Sequence, residues 1–154
     1  MRVVIQRVRK ASVKINGEIV GEIQQGLLVL LGIEHVDSEL DADYLIQKLI
    51  HLRIFGDDEG KMNLSVSDIS GSLLIVSQFT LFADTKKGNR PSFIRSAKPE
   101  QAIPLYEYFL SQLKKSFSGK IEKGVFGGDM QVELINDGPV TIIMDSINKQ
   151  SSLF

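Results

Sequence analysis

Apolar and polar positions alternate roughly from Val3 to Arg9, and again along "ASVKINGEIVGEI", where Asn16-Gly17 separates two such runs. A period of two is the signature of a strand, and Asn-Gly between alternating runs predicts a tight hairpin. "GLLVLLGI" (26–33) is apolar at almost every position, which predicts a central strand covered on both faces. The period then lengthens. Over 38–51, Leu40, Tyr44, Leu45 and Leu49 recur at helical spacing, with Ser38 as a possible cap and acids in the first turn.

"GDDEGKMN" reads as a loop, and "SLLIVSQFTLF" (72–82) as a second buried strand followed by the polar loop "ADTKKGNRPS". A second helix is predicted over 99–117. Pro99 suits its first position, whereas Pro104 is expected to delay regular helix to about its own position. "MQVELIN" and "PVTIIMD" then read as two last strands, the second buried, with a rigid Asp137-Gly138-Pro139 turn at its mouth. The pattern is that of an α+β domain, with a β-barrel-like curved sheet and two main helices. It covers 1–145 as one domain, followed by a polar tail, 146–154.

Composition narrows the chemistry. The chain of 154 residues has no Cys, which excludes disulfides, thiolate metal sites and a Cys nucleophile. Its two His, His35 and His51, form no ligand motif, so no metal or cofactor is expected. A formal charge of −1 argues against wrapping DNA or RNA broadly, but not against gripping one RNA end. "MRVVIQRVRKASV" lacks the apolar region of a signal peptide, and "GLLVLLGI" is too short to span a bilayer. A cytoplasmic protein without a membrane partner is expected. Asn63-Leu64-Ser65 matches a glycosylation sequon but means little without a secretion signal.

Three stretches could carry chemistry. Ser77, Gln78, Phe79 and Thr80 end the apolar run 73–76; strand parity puts Gln78 and Thr80 on one face and Ser77 and Phe79 on the other. They either finish a strand at the surface or present a site whose backbone N–H groups form an oxyanion hole. A Ser77 or Thr80 nucleophile needs a base that the sequence does not offer. Arg7 shares parity with Val3 and Ile5, so its guanidinium either reaches solvent or finds carbonyls freed by the Gly-Pro turn. "GVFGGDM" (124–130) either is a turn beside a core Phe or lets Phe126 stack on a base. Lys86, Lys87, Arg90, Arg95 and Lys98 either meet phosphates or are simply solvated.

"SQFTLFAD", "KKGNRPSF", "GVFGGDMQVELINDGPVTI" and the early "QRV" together closely resemble the D-aminoacyl-tRNA deacylases, from Met1 to about Asp145. The resemblance implies a homodimer with its active site at the dimer interface. It implies hydrolysis of the ester joining a D-amino acid, or glycine, to the tRNA 3′ end, with L-aminoacyl-tRNA spared. Gly138 and Pro139, joined by a cis bond, would enter the partner's site and stand where an L side chain would go, with Arg7 holding them. N–H groups around Gln78 and Phe79 would stabilise the oxyanion, Thr80 would shape the site, and the RNA's own 2′-OH would assist water. Phe126 and Met130 would receive the terminal adenosine. A module that binds an RNA end without catalysis is the rival reading.

Overall fold

The computed structural model describes residues 1–146. The polar tail expected from residue 146 onward therefore lies outside the described residues, apart from Ser146. That residue is buried, and its N–H donates to the Met1 carbonyl at 2.9 Å.

The N-terminal alternation forms one long strand, β1 (Arg2–Ile15), which turns at Asn16-Gly17 into β2 (Glu18–Ile23). Both turn residues have positive φ, 50° and 80°, as a type I′ hairpin requires. β3 (Gly26–Gly32) lies antiparallel to the first half of β1, while β2 pairs with its second half along the same edge. β6 (Ser72–Ser77) runs parallel to β3, and the short β7 (Ile121–Lys123) parallel to β6. β8 (Gln131–Asp145) covers the opposite edge of β1 over nearly its whole length. A two-stranded ribbon, β4 (Phe55–Gly56) with β5 (Met62–Leu64), stands apart within the stretch expected to be loop.

The main sheet curls until β7 approaches β2, giving a nearly closed barrel. The Lys123 carbonyl lies 2.7 Å from where a Cβ on Gly21 would sit, so only glycine permits that approach. This closure explains why β3 is apolar on both faces. Leu27, Val29 and Leu31 pack against the helices, and Leu28 joins Val8, Val13, Leu74 and Val76 inside the barrel.

α1 (Glu39–His51) begins where expected, with the Ser38 N–H donating to the Asp41 carboxylate at 2.8 Å. Its buried stripe is Ala42, Leu45, Ile46, Leu49 and Ile50; Leu40, expected on that face, is exposed. α2 (Pro99–Ser116) runs straight through Pro104 instead of starting there. Pro104 lies one turn in, on the exposed side, so it removes a single hydrogen bond at a point where water can satisfy the freed carbonyl. Phe109 and Leu113 carry α2 into the core.

Two further expectations change. The strand expected to reach residue 82 stops at Ser77, and Phe79–Phe82 form a 3-10 turn. The parity assigned to Gln78, Phe79 and Thr80 therefore does not hold. The cause is the partner strand. The Gln78 N–H takes the Leu31 carbonyl at 2.8 Å just before β3 ends, and the apolar Phe82 is then buried with the Arg2 and Arg95 guanidinium carbons 5.1 and 5.2 Å from its ring centroid. "MQVELIN" and "PVTIIMD" are likewise a single strand, and Asp137–Pro139 is no reversal. Nor is the second half buried throughout: Ile142 and Met144 pack against the core, while Ile143, on the opposite face of the strand, is 66% exposed. No strand among the described residues pairs with the outer edge of β8.

Candidate active site

Where β6 gives way to the 3-10 turn, its last polar residues open onto a cavity of about 320 Å³. Ser77, Gln78 and Phe79 form one wall with Leu31 and Val76; Phe126 to Met130 with Val132 face them, and Ala97 and Ala102 close the side. Two stretches about fifty residues apart are thus brought together. Thr80 lies outside the lining, and its hydroxyl accepts from the Gln78 side-chain amide.

The donors on this wall are sorted by the fold. Gln78 N–H is committed to Leu31, so it is not free for a ligand. The N–H groups of Phe79 and Thr80, first in the 3-10 turn, have no acceptor among the described residues, as expected at a helix start. The peptide between them is fixed from outside, since Ser96 Oγ donates to the Phe79 carbonyl at 2.9 Å. The Phe93 ring also meets Phe79 edge-on, with centroids 5.1 Å apart. Ser96 carries no local signal of this role, which depends on a contact 17 positions away in the chain.

On the facing wall Phe126 tilts against Tyr106 at 5.6 Å between centroids. The Tyr106 hydroxyl is buried without a partner among the described residues, and burial pushes its pKa up to about 12. Met130 Sδ occupies the space that a Cβ on Gly124 would need. Neither His lines the cavity; His35 and His51 face the carbonyls of Arg95 and Gln47 at 3.0 and 2.8 Å. Among the described residues no cluster of His, Asp and Glu could hold a metal ion.

Gly138 and Pro139 lie elsewhere. Gln6 pairs with Thr141 and Val8 with Asn136, so four residues, Asp137 to Val140, bulge out opposite Arg7 alone. The Gly138-Pro139 bond is cis, and both residues are exposed. Arg7 spans the base of the bulge, with Nε donating to the Asp137 carbonyl at 2.8 Å and an Nη to the Ile54 carbonyl at 2.7 Å. These are not the Gly138 and Pro139 carbonyls, which the clamp leaves unengaged. Asn136 closes the bulge: Val140 N–H donates to its Oδ1 at 2.8 Å, and its Nδ2 reaches the Val140 carbonyl at 3.2 Å. That bracket gives the Asn of "NDGPVT" a role that sequence reading missed. Gly138, at φ 144°, sits where a Cβ would meet Val140 Cγ2 at 2.8 Å and Arg7 at 3.0 Å.

The strand registers give the separation. From the bulge to Ser77 is three strands across and four residues along, a path on the order of 20 Å along the curved sheet at standard spacings. Within one chain the dipeptide and the cavity are separate features.

The family model described as D-Tyr-tRNA(Tyr) deacylase matches residues 4–145. A D-aminoacyl-tRNA deacylase of Cytophaga hutchinsonii is 63% identical over 97% of this chain and 100% of its own length. One from Flavobacterium johnsoniae is 57% identical with the same coverage. Among solved structures, one described as c-Myc DNA Unwinding Element Binding Protein superposes with a TM-score of 0.90 at 43% identity, covering 94% of this chain and 98% of that one. Another, described as a probable eukaryotic D-amino acid tRNA deacylase, reaches a TM-score of 0.81 at 17% identity with the same coverage, a likeness of fold.

Proposed function

This chain belongs to the D-Tyr-tRNA(Tyr) deacylase family and is a D-aminoacyl-tRNA deacylase; from that premise we propose that its cavity holds the aminoacyl ester at the tRNA 3′ end and that Gly138-Pro139 of a second copy makes the site chiral. The carrying observation is the clamped bulge. Arg7 and Asn136 hold the dipeptide outward while leaving its two carbonyls without a partner among the described residues, and neither residue of the dipeptide lines the chain's own cavity. A homodimer that lends the bulge to its partner gives this arrangement a use. The unpaired outer edge of β8 and its exposed Ile135 and Ile143 support such pairing.

In the site, the Phe79 N–H receives the ester's oxyanion, without the Gln78 N–H, which is committed to the Leu31 carbonyl. Water attacks the carbonyl carbon, the ester C–O bond breaks, and the proton lost by water reaches the leaving 3′-oxygen by way of the tRNA 2′-OH. Substrate assistance fits a lining that holds no His and whose one titratable side chain is the carboxylate of Asp129. The Thr80 hydroxyl outside the cavity, accepting from Gln78, speaks against a Thr80 nucleophile. Phe126 and Met130 offer the flat apolar wall for the terminal adenosine. Ser77 completes the floor beside Gln78.

The wedge rejects a side chain on one side of Cα and is indifferent to the other, so glycyl-tRNA is a secondary substrate and L-aminoacyl-tRNA survives. The enzyme acts in the cytoplasm, where charged tRNA is found. The mechanism is tested with D-tyrosyl-tRNA ending in 2′-deoxyadenosine, which should turn over poorly. Undiminished cleavage would remove the 2′-OH from the mechanism.

A further inference from the structure

Between Asp84 and Ser92 the chain makes a short excursion, closed by two backbone hydrogen bonds of 2.7 and 2.9 Å between those residues. Its tip carries Lys86, Lys87 and Arg90, all exposed, and none of them forms an ion pair among the described residues. The lone acid, Asp84, accepts from the Lys86 backbone N–H at 2.9 Å and so faces its own loop.

The charge is unevenly placed. Residues 84–98 hold five of the eighteen Lys and Arg but one of the nineteen acids, so this segment carries +4 and the rest of the chain −5. A polyanion is repelled by the body and attracted here, over a screening length of only about 8 Å at physiological salt. The segment is also fixed to the cavity wall. Ser96 and Phe93 hold Phe79, and Ala97, which lines the cavity, donates its N–H to the Ile33 carbonyl at 2.9 Å. The tip projects no more than about 13 Å beyond the Asp84–Ser92 closure, since four residues can span no further. The cations therefore sit on a short loop rooted in the segment that holds the cavity wall.

We propose that this basic hairpin is a docking surface for the sugar–phosphate backbone of the tRNA acceptor end, just upstream of the ester held in the cavity. The proposal rests on the reading of that cavity given above. Contacts to phosphates position an RNA without reading its sequence, which suits an enzyme whose substrates share an ester rather than an anticodon.

The test compares the full chain with a Lys86→Gln/Lys87→Gln/Arg90→Gln variant on D-tyrosyl-tRNA and on 3′-O-(D-tyrosyl)adenosine, which lacks the acceptor stem. Salt is varied from about 50 to 200 mM. The variant should raise KM for the tRNA about tenfold or more at low salt. It should also reduce the slope of log(kcat/KM) against log salt by about 2 to 3, as expected for three lost phosphate contacts. Cleavage of the small ester should be unchanged, and Lys86→Arg/Lys87→Arg should behave as the parent protein. An unaltered KM and salt slope for tRNA, or equal losses on both substrates, would overturn the proposal. Failure of the parent protein on both substrates would instead remove the reading of the cavity, and the docking surface with it.

Discussion

Arg7 donates through Nε to the main-chain carbonyl of Asp137 at 2.8 Å, from the one β1 position that faces the four-residue bulge in β8. Its second hydrogen bond, to Ile54, ties the bulge to the chain between α1 and the β4–β5 ribbon. A guanidinium can hold two carbonyls at fixed angles, which a single ammonium cannot. In Arg7→Ala both carbonyls lose a charge-assisted partner, so stability should fall by about 2–4 kcal/mol. Arg7→Lys should recover part of this. Urea unfolding of the two variants checks the order, and equal stability of Ala and Lys would deny the two-point clamp.

Gly138→Ala tests the bulge from within. The added methyl meets Val140 and Arg7, at a backbone conformation that L residues rarely adopt. A loss of about 1–3 kcal/mol is expected, together with a preference for D- over L-tyrosyl-tRNA reduced about tenfold or more. A destabilised variant with an intact preference would mean that the dipeptide is structural only.

Ser96 positions the wall through Phe79. Loss of one hydrogen bond of about 1 kcal/mol corresponds to a kcat reduced about fivefold. With Ser96→Ala, kcat should fall while KM stays constant, and Ser96→Thr should restore it. A change confined to KM, or no rescue by Thr, would contradict a positioning role.

The β4–β5 ribbon should respond to acid. Asp57 is held below the usual carboxylate range, first by the Asn63 side-chain amide and then by the Lys61 and Glu59 N–H groups. A depressed folded-state pKa stabilises the ribbon above the unfolded value, about 3.9, and that contribution is lost as pH falls through the folded value. Amide exchange over residues 55–64 should therefore accelerate below about pH 4, relative to the core, and Asp57→Asn should remove that pH dependence. Equal pH response in both proteins would reject it.

What the sequence disclosed follows from what is local. The Asn16-Gly17 turn, the capped start of α1 and the doubly buried β3 depend on neighbouring residues and on the hydrophobic period, and each formed as read. The continuity of β8 through Pro139 did not, because a bulge is defined by the partner strand and by Arg7 opposite it. The 3-10 turn after Ser77 was hidden for the same reason, being fixed by where β3 ends. In the candidate site, Ser77, Gln78, Phe79, Phe126 and Met130 do line one cavity, whereas Arg7 reaches the bulge at the Asp137 carbonyl and not at those of Gly138 and Pro139. Thr80 stands outside the lining, and Ser96 and Asn136 act through contacts that no short motif announces.

The central claim joins hydrolysis to chirality, and the most direct measurement is deacylation of D-tyrosyl-tRNA and L-tyrosyl-tRNA side by side with the purified protein. The D ester should be lost and the L ester should persist. Equal loss of both would keep the hydrolase but contradict the Gly138-Pro139 wedge, and survival of both with a folded protein would contradict the activity itself.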